Sequence, residues 1–175
     1  MIKLRALVPV AVLVSLIPGA AFADGFFSVG IGTSTGGSLA KSERTYPWQI
    51  GVLSHEGWAG FDAEYSAIAT PGTAPNLRTV GASLRIGKKF AAWRPYGSVG
   101  WAAIGTVSQT SDVFKITGPS NVSNTLITFG GGVIGSLAKH LGIQVDVREF
   151  RDVKSTAGTT RIEFTRAAAS VVLIF

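Results

Sequence analysis

Gly130, Gly132 and Gly135 in "FGGGVIGSLAKHLGIQVDVREF" are spaced G-x-G-x-x-G, with Asp146 and Glu149 downstream. In a dinucleotide-binding fold such glycines let the backbone approach a pyrophosphate, and a later acid holds the ribose. That chemistry needs a strand, then a long helix, then a parallel strand. The apolar run Leu126 to Phe129 leads into the glycines, but only the five residues "SLAKH" separate Gly135 from the next alternating segment at Leu141. No helical crossover fits there, whereas a tight antiparallel turn does. The spacing therefore predicts no bound cofactor, and the glycines read as small positions of a strand.

Two histidines, His55 and His140, are the other candidates for catalysis, and there is no cysteine. A hydrolase of the serine type needs a His base beside its nucleophile and an acid behind the His. Both histidines fall in short connections and no G-x-S-x-G occurs, so no catalytic residue is assigned. Two histidines so far apart also make no metal site. The remaining chemistry lies in six charges: Asp62, Glu64 and Asp146 against Arg85, Arg148 and Arg166.

The segments that carry these charges alternate apolar and polar with period two, the signature of strands. Eight such segments are predicted, at 25–33, 46–54, 58–67, 77–87, 95–107, 124–135, 141–150 and 161–175. One face of each carries Val, Ile, Leu, Phe, Trp and Ala. The other carries Gly, Ser and Thr together with the six charges. Short turns are expected near His55, at Lys88 to Arg94 and at Ser136 to His140. Longer loops at 34–45, 68–76, 108–123 and 151–160 are rich in Ser, Thr, Gly, Pro and Asn.

The first residues are not part of this pattern. Lys3 and Arg5 precede an apolar run from Ala6 to Ile17, and Pro18 and Gly19 break it. "AAFA" follows, with small residues at Ala21 and Ala23. This is the layout of a secretory signal peptide cleaved before Asp24, so residues 1–23 are expected to be removed and 24–175 to form one domain. The run is short for a membrane anchor helix. An exported domain without disulfides must draw its stability from a large core or from a membrane. The chain is apolar on average, with mean hydropathy +0.36, and holds 22 glycines. Such a composition points to membrane strands.

Which face is apolar separates two eight-stranded barrels. A soluble ligand carrier keeps its apolar face inside, and a membrane barrel turns it outward. The charged, Gly-rich face suits a narrow polar lumen, and alternating short turns and long loops suit a membrane barrel. "PYGSVGWA", "FGGGVIGSLAKHLGIQVDVREF" and the terminal "VVLIF" then carry a resemblance to the small OmpA/OmpX-type outer-membrane β-barrel family. The resemblance implies an all-β, eight-stranded antiparallel up-and-down transmembrane barrel in the bacterial outer membrane. It also implies that Ala169, Val171, Leu173 and Phe175 form the C-terminal signal read by the barrel-insertion machinery.

Asp62, Glu64, Arg85, Asp146, Arg148 and Arg166 are expected to form a lumenal ion-pair network that closes the barrel, since unpaired charges in a narrow lumen are costly. Asp146 and Arg166 lie on neighbouring strands and are candidates to meet. Aromatic belts are expected from Phe26, Trp58, Phe90, Trp93 and Tyr96 near the turn end, and from Tyr46, Trp48 and Tyr65 near the loop end. Lys41, Arg44, Arg78, Lys115, Arg151, Lys154 and Arg161 place basic side chains where lipopolysaccharide phosphates would lie. The net charge of +6 calls for no nucleic acid in an exported chain. The "NVS" sequon at Asn121 carries little meaning in a bacterial envelope. The reading is a monomeric, non-enzymatic structural or surface-interaction protein whose loop partner is unknown. A narrow solute pore and a lipid A-modifying enzyme stand as the alternatives.

Overall fold

The computed structural model describes residues 23–37, 39, 42–54, 58–69, 77–106, 121–153 and 162–175. Eight strands run β1 Ala23–Thr35, β2 Glu43–Ser54, β3 Ala59–Ala69, β4 Leu77–Gly87, β5 Trp93–Thr106, β6 Asn121–Ala138, β7 Leu141–Asp152 and β8 Glu163–Ile174. Each pairs antiparallel with its sequence neighbours, and β1 pairs β8, from Phe26 opposite Ile174 to Thr35 opposite Thr165. Closure leaves no open edge, the condition for a sheet surrounded by lipid. No helix occurs among the described residues. Strands of 11 to 18 residues exceed the roughly 9–11 that a tilted strand needs to cross a bilayer.

The alternation decides which face is which. Along β7, Leu141, Ile143, Val145 and Val147 are exposed while Gly142, Gln144, Asp146 and Arg148 are buried. In β8, Ala169, Val171 and Leu173 are outside, as is Phe175 just after it, and Arg166, Ala168 and Ser170 are inside. Large apolar side chains on the outer surface, among them Ile50, Leu84, Val99, Trp101 and Val171, are about half exposed. An apolar exterior around a charged interior is the arrangement of a membrane barrel and the reverse of a soluble carrier.

Four details differ from the sequence expectation. The first is the extent of the turns. Arg94 belongs to β5, opposite Ile134, because the turn is only Ala91–Ala92 between the bridged pair Phe90 and Trp93. Ala91 takes φ 52°, which so short a reversal requires. β6 likewise continues past Gly135 to Ala138 through an irregularity at Ser136, and the turn shrinks to Lys139–His140. The second is Phe26 and Tyr96, expected in an interfacial belt. Phe26 shares the parity of inward Ser28, and Tyr96 that of inward Ser98, so both point into the lumen. Trp58, Phe90 and Trp93 do stand exposed at the turn end.

The third is the lumen itself, which is not polar throughout. At the loop end Ile68, Ala102, Ile104, Leu126, Phe150 and Phe164 form a buried apolar layer. At the turn end Phe26, Leu53, Ile134, Val172 and Ile174 form another. The fourth is Arg78, expected on the outer rim. It is fully buried opposite Ala67, its Nη1 turned back onto the carbonyl of Leu77 at 3.3 Å.

Candidate functional site

The six charged residues meet at mid-height in the lumen, between the two apolar layers. The alternation of β3, β4, β7 and β8 aims them inward, and the neighbouring backbone gives them room. Asp62 has Gly51 as a cross-strand partner, Glu64 has Gly81, Arg85 has Gly60, Asp146 has Gly132 and Arg148 has Gly130. A Cβ at Gly132 would sit 2.3 Å from the carbonyl oxygen of Val145 and 2.9 Å from the Asp146 Cβ. The last glycine of the G-x-G-x-x-G string does something else. Gly135 lies under the ring of Trp93, where a Cβ would approach Cζ3 to 2.7 Å.

Arg166 and Arg148 stand directly opposite each other on β8 and β7, a repulsive pairing unless acids intervene. Glu64 intervenes from the far wall. Its Oε2 accepts from Arg166 Nη2 at 2.9 Å, its Oε1 accepts from Arg166 Nη1, and Arg148 Nη1 is 3.3 Å from Oε2. Asp146 accepts from Arg148 Nε at 3.0 Å and lies 3.5 Å from Arg166 Nη2. So Arg166 rests chiefly on Glu64, and Asp146 chiefly on Arg148. Asp62 takes Arg85 Nε at 2.6 Å on one oxygen and Arg148 Nη2 at 3.4 Å on the other.

All six side chains are at most 7% exposed, and three acids balance three guanidiniums. Each of the six has a partner of opposite charge, the arrangement that offsets the cost of holding charges so far from water.

Neutral groups complete the cluster, and they were not singled out from the sequence. Gln49 accepts from Arg85 Nη2 at 2.7 Å and from Gln144 Nε2 at 2.9 Å, and donates Nε2 to Glu64 Oε2 at 2.8 Å. Ser83 accepts from Arg148 Nη1 at 2.8 Å. Arg85 is sandwiched between Phe26 and Tyr96, with ring centroids 4.7 and 4.5 Å away. Arg166 sits 5.4 Å from the ring of Phe150. Aromatic faces attract the guanidinium and fill the lumen beside it. Gln49 and Gln144 carried no local signal, since their same-face neighbours two residues away are Pro47, Gly51, Gly142 and Asp146, and the stagger between strands brings the other charges to them.

The other sequence candidates fall elsewhere. Arg44 and Arg151 are exposed at the loop end, and Arg151 already holds Glu149 at 2.5 Å and Glu163 at 3.3 Å. Lys41, Lys115, Lys154, Arg161, His55 and residues 1–22 lie outside the described residues. His140 is in the β6–β7 turn, where its Nδ1 donates to the carbonyl of Ile174 at 2.9 Å. Among the described residues no group of acids and histidines could hold a metal ion.

The chain matches no protein-family profile and no curated protein sequence. Solved structures do match. The N-terminal β-barrel domain of Pseudomonas aeruginosa OprF aligns over 88% of this chain and 98% of its own, at 13% identity and a TM-score of 0.58. Neisserial surface protein A aligns over 87% and 97%, at 16% identity and 0.56. Ail of Yersinia pestis, solved with the heparin analogue sucrose octasulfate, aligns over 87% and 99%, at 11% identity and 0.52. At these identities what is shared is the fold. The chain is a closed eight-stranded antiparallel β-barrel with the fold of these small outer-membrane barrels.

Proposed function

We propose that this chain is an integral barrel of a bacterial outer membrane with a structural or surface-interaction role, and that its lumen does not conduct. The observation that carries this reading is the charge-neutral cluster of six side chains at mid-height, capped on both sides by apolar layers. Opening a path would separate buried ion pairs, and each unpaired charge would cost several kcal/mol. Residues 1–23 act as the export signal and 24–175 as the barrel. Ala169, Val171, Leu173 and Phe175 form one outward stripe ending β8, accessible to insertion machinery before lipid covers it. Arg44 and Arg151, with Lys41, Lys154 and Arg161, supply cations for lipopolysaccharide phosphates or a sulfated surface polymer, as the sucrose octasulfate complex of Ail suggests by likeness of fold. The protein acts as a monomer and without catalysis.

Planar-bilayer recording tests the closed lumen. The purified barrel should give no steady openings, whereas a uniform single-channel current from the wild type would replace this reading with a narrow solute pore. Mass spectrometry of lipid A from a strain lacking the chain should show no change. A lost acyl modification there would make the barrel an enzyme.

A further inference from the structure

The turn end of the barrel holds a cavity of about 380 Å³ lined by Lys89, Arg94, Lys139, His140, Asp24 and Phe175. We propose that it binds the phosphate of an anionic phospholipid from the leaflet surrounding this end, an inference that rests on the membrane placement above. Arg94 makes the site. Its side chain is inward and 6% exposed, and Nη2 donates to Asp24 Oδ2 at 2.9 Å. Its Nε and Nη1 have no hydrogen-bond partner although both are buried. A buried guanidinium N–H without an acceptor is costly, and a phosphate oxygen is the acceptor its planar fork fits best.

The surroundings favour an anion. Lys89, from the β4–β5 connection, and Lys139, from the β6–β7 turn, line the cavity with Arg94 and are exposed. Against these three cations stands Asp24, already engaged by Arg94. His140 spends Nδ1 on Ile174, which leaves Nε2 as its remaining polar atom. The rim favours a lipid over free phosphate. Trp93, Leu137 and Phe175 are 54%, 64% and 70% exposed beside the cavity, an apolar collar that suits the glycerol and acyl region below a headgroup. Cleavage before Asp24 would add an α-ammonium to a residue lining the same cavity.

The test uses the refolded barrel in neutral maltoside micelles, titrated separately with dihexanoylphosphatidylglycerol, dihexanoylphosphatidylcholine and inorganic phosphate. The readout is the ¹⁵N NMR signal of Arg94 Nε–H. Phosphatidylglycerol should shift this signal and bind about tenfold more tightly than either other ligand. Lys89→Gln with Lys139→Gln should weaken it about tenfold while the barrel stays folded, since both side chains are exposed. Equal affinity for the two lipids, a still Arg94 signal, or inorganic phosphate binding as tightly as phosphatidylglycerol would overturn the proposal. Failure of the membrane placement shows separately, as a chain that is soluble without detergent and lacks heat-modifiable gel migration.

Discussion

Two clusters of arginine and acid sit on the same barrel in opposite settings. At mid-lumen Arg85, Arg148 and Arg166 share Asp62, Glu64 and Asp146, every side chain at most 7% exposed. At the loop-end rim Arg151 holds Glu149 and Glu163, with side chains 47%, 28% and 38% exposed. Contact distances are alike, 2.6 Å for Arg85–Asp62 and 2.5 Å for Arg151–Glu149. What differs is the alternative offered to each charge. At the rim a released carboxylate meets water. In the lumen it meets Phe26, Phe150, glycine backbone or another charge. Distance alone therefore says little about what a pair contributes. Burial sets it.

The largest break in this comparison should come from Glu64→Gln. It leaves Arg166 and Arg148 facing each other with Asp146 alone between them, and should lower stability by about 3–5 kcal/mol. The urea midpoint of the barrel refolded into lipid vesicles measures it. A loss under about 1 kcal/mol would mean that water reaches the lumen and that the two clusters are equivalent. Glu64→Leu combined with Arg166→Met sharpens the point. Removing both members should recover most of the loss, because the penalty is the orphaned charge rather than the missing bond.

Val147→Arg moves the same chemistry through the wall. Val147 is at the middle of β7, 48% exposed on the outer face, next in sequence to buried Arg148. A guanidinium there has hydrocarbon in place of Glu64 and Asp62, and the cost should be about 2–4 kcal/mol in vesicles. In detergent micelles, where the head can reach water, the difference from wild type should shrink. An equal loss in both would place the defect in strand pairing instead of in the lipid.

The middle of the lumen was legible in the sequence, and its ends were not. Asp62 and Glu64, or Asp146 and Arg148, each flank one apolar residue, so their shared face could be read from period two alone. Their glycine partners were visible as a composition but not as a register, since which glycine meets which charge depends on the stagger between strands. The apolar end layers escaped because Val172 and Ile174 sit in the run "VVLIF", where inward and outward residues are equally hydrophobic and alternation carries no contrast. Phe26 and Tyr96 were placed by height along the strand, while parity, which decides the side, put them inside. Arg94 was assigned to a turn because a two-residue reversal at Ala91–Ala92 has no Gly or Asn to announce it.

One of those end layers gives a smaller effect. Ile134 is 1% exposed in the turn-end layer with Phe26, Leu53 and Val172. Ile134→Val removes one methylene and should cost about 0.5–1.5 kcal/mol by urea unfolding. Planar bilayers should stay silent, because the ion cluster above it is untouched. A conducting Ile134→Val barrel would show that the apolar layer, and not the charges, closes the lumen.

The smallest effect should come from the rim, where Arg151→Gln removes the cation from Glu149 and Glu163. Both acids remain solvated, so the stability change should stay within about 1 kcal/mol and fade as salt rises. Arg151 also lies 4.9 Å from the ring of Phe129, a contact that Gln keeps only in part. Measuring the variant at low and high salt separates the two contributions, since screening weakens the ion pairs while packing on the ring is little affected. A loss approaching that of Glu64→Gln, insensitive to salt, would mean that the rim triad is shielded as completely as the lumen. Worth would then follow contact geometry after all, and the exposed Arg151 would become part of what holds the loop end in shape.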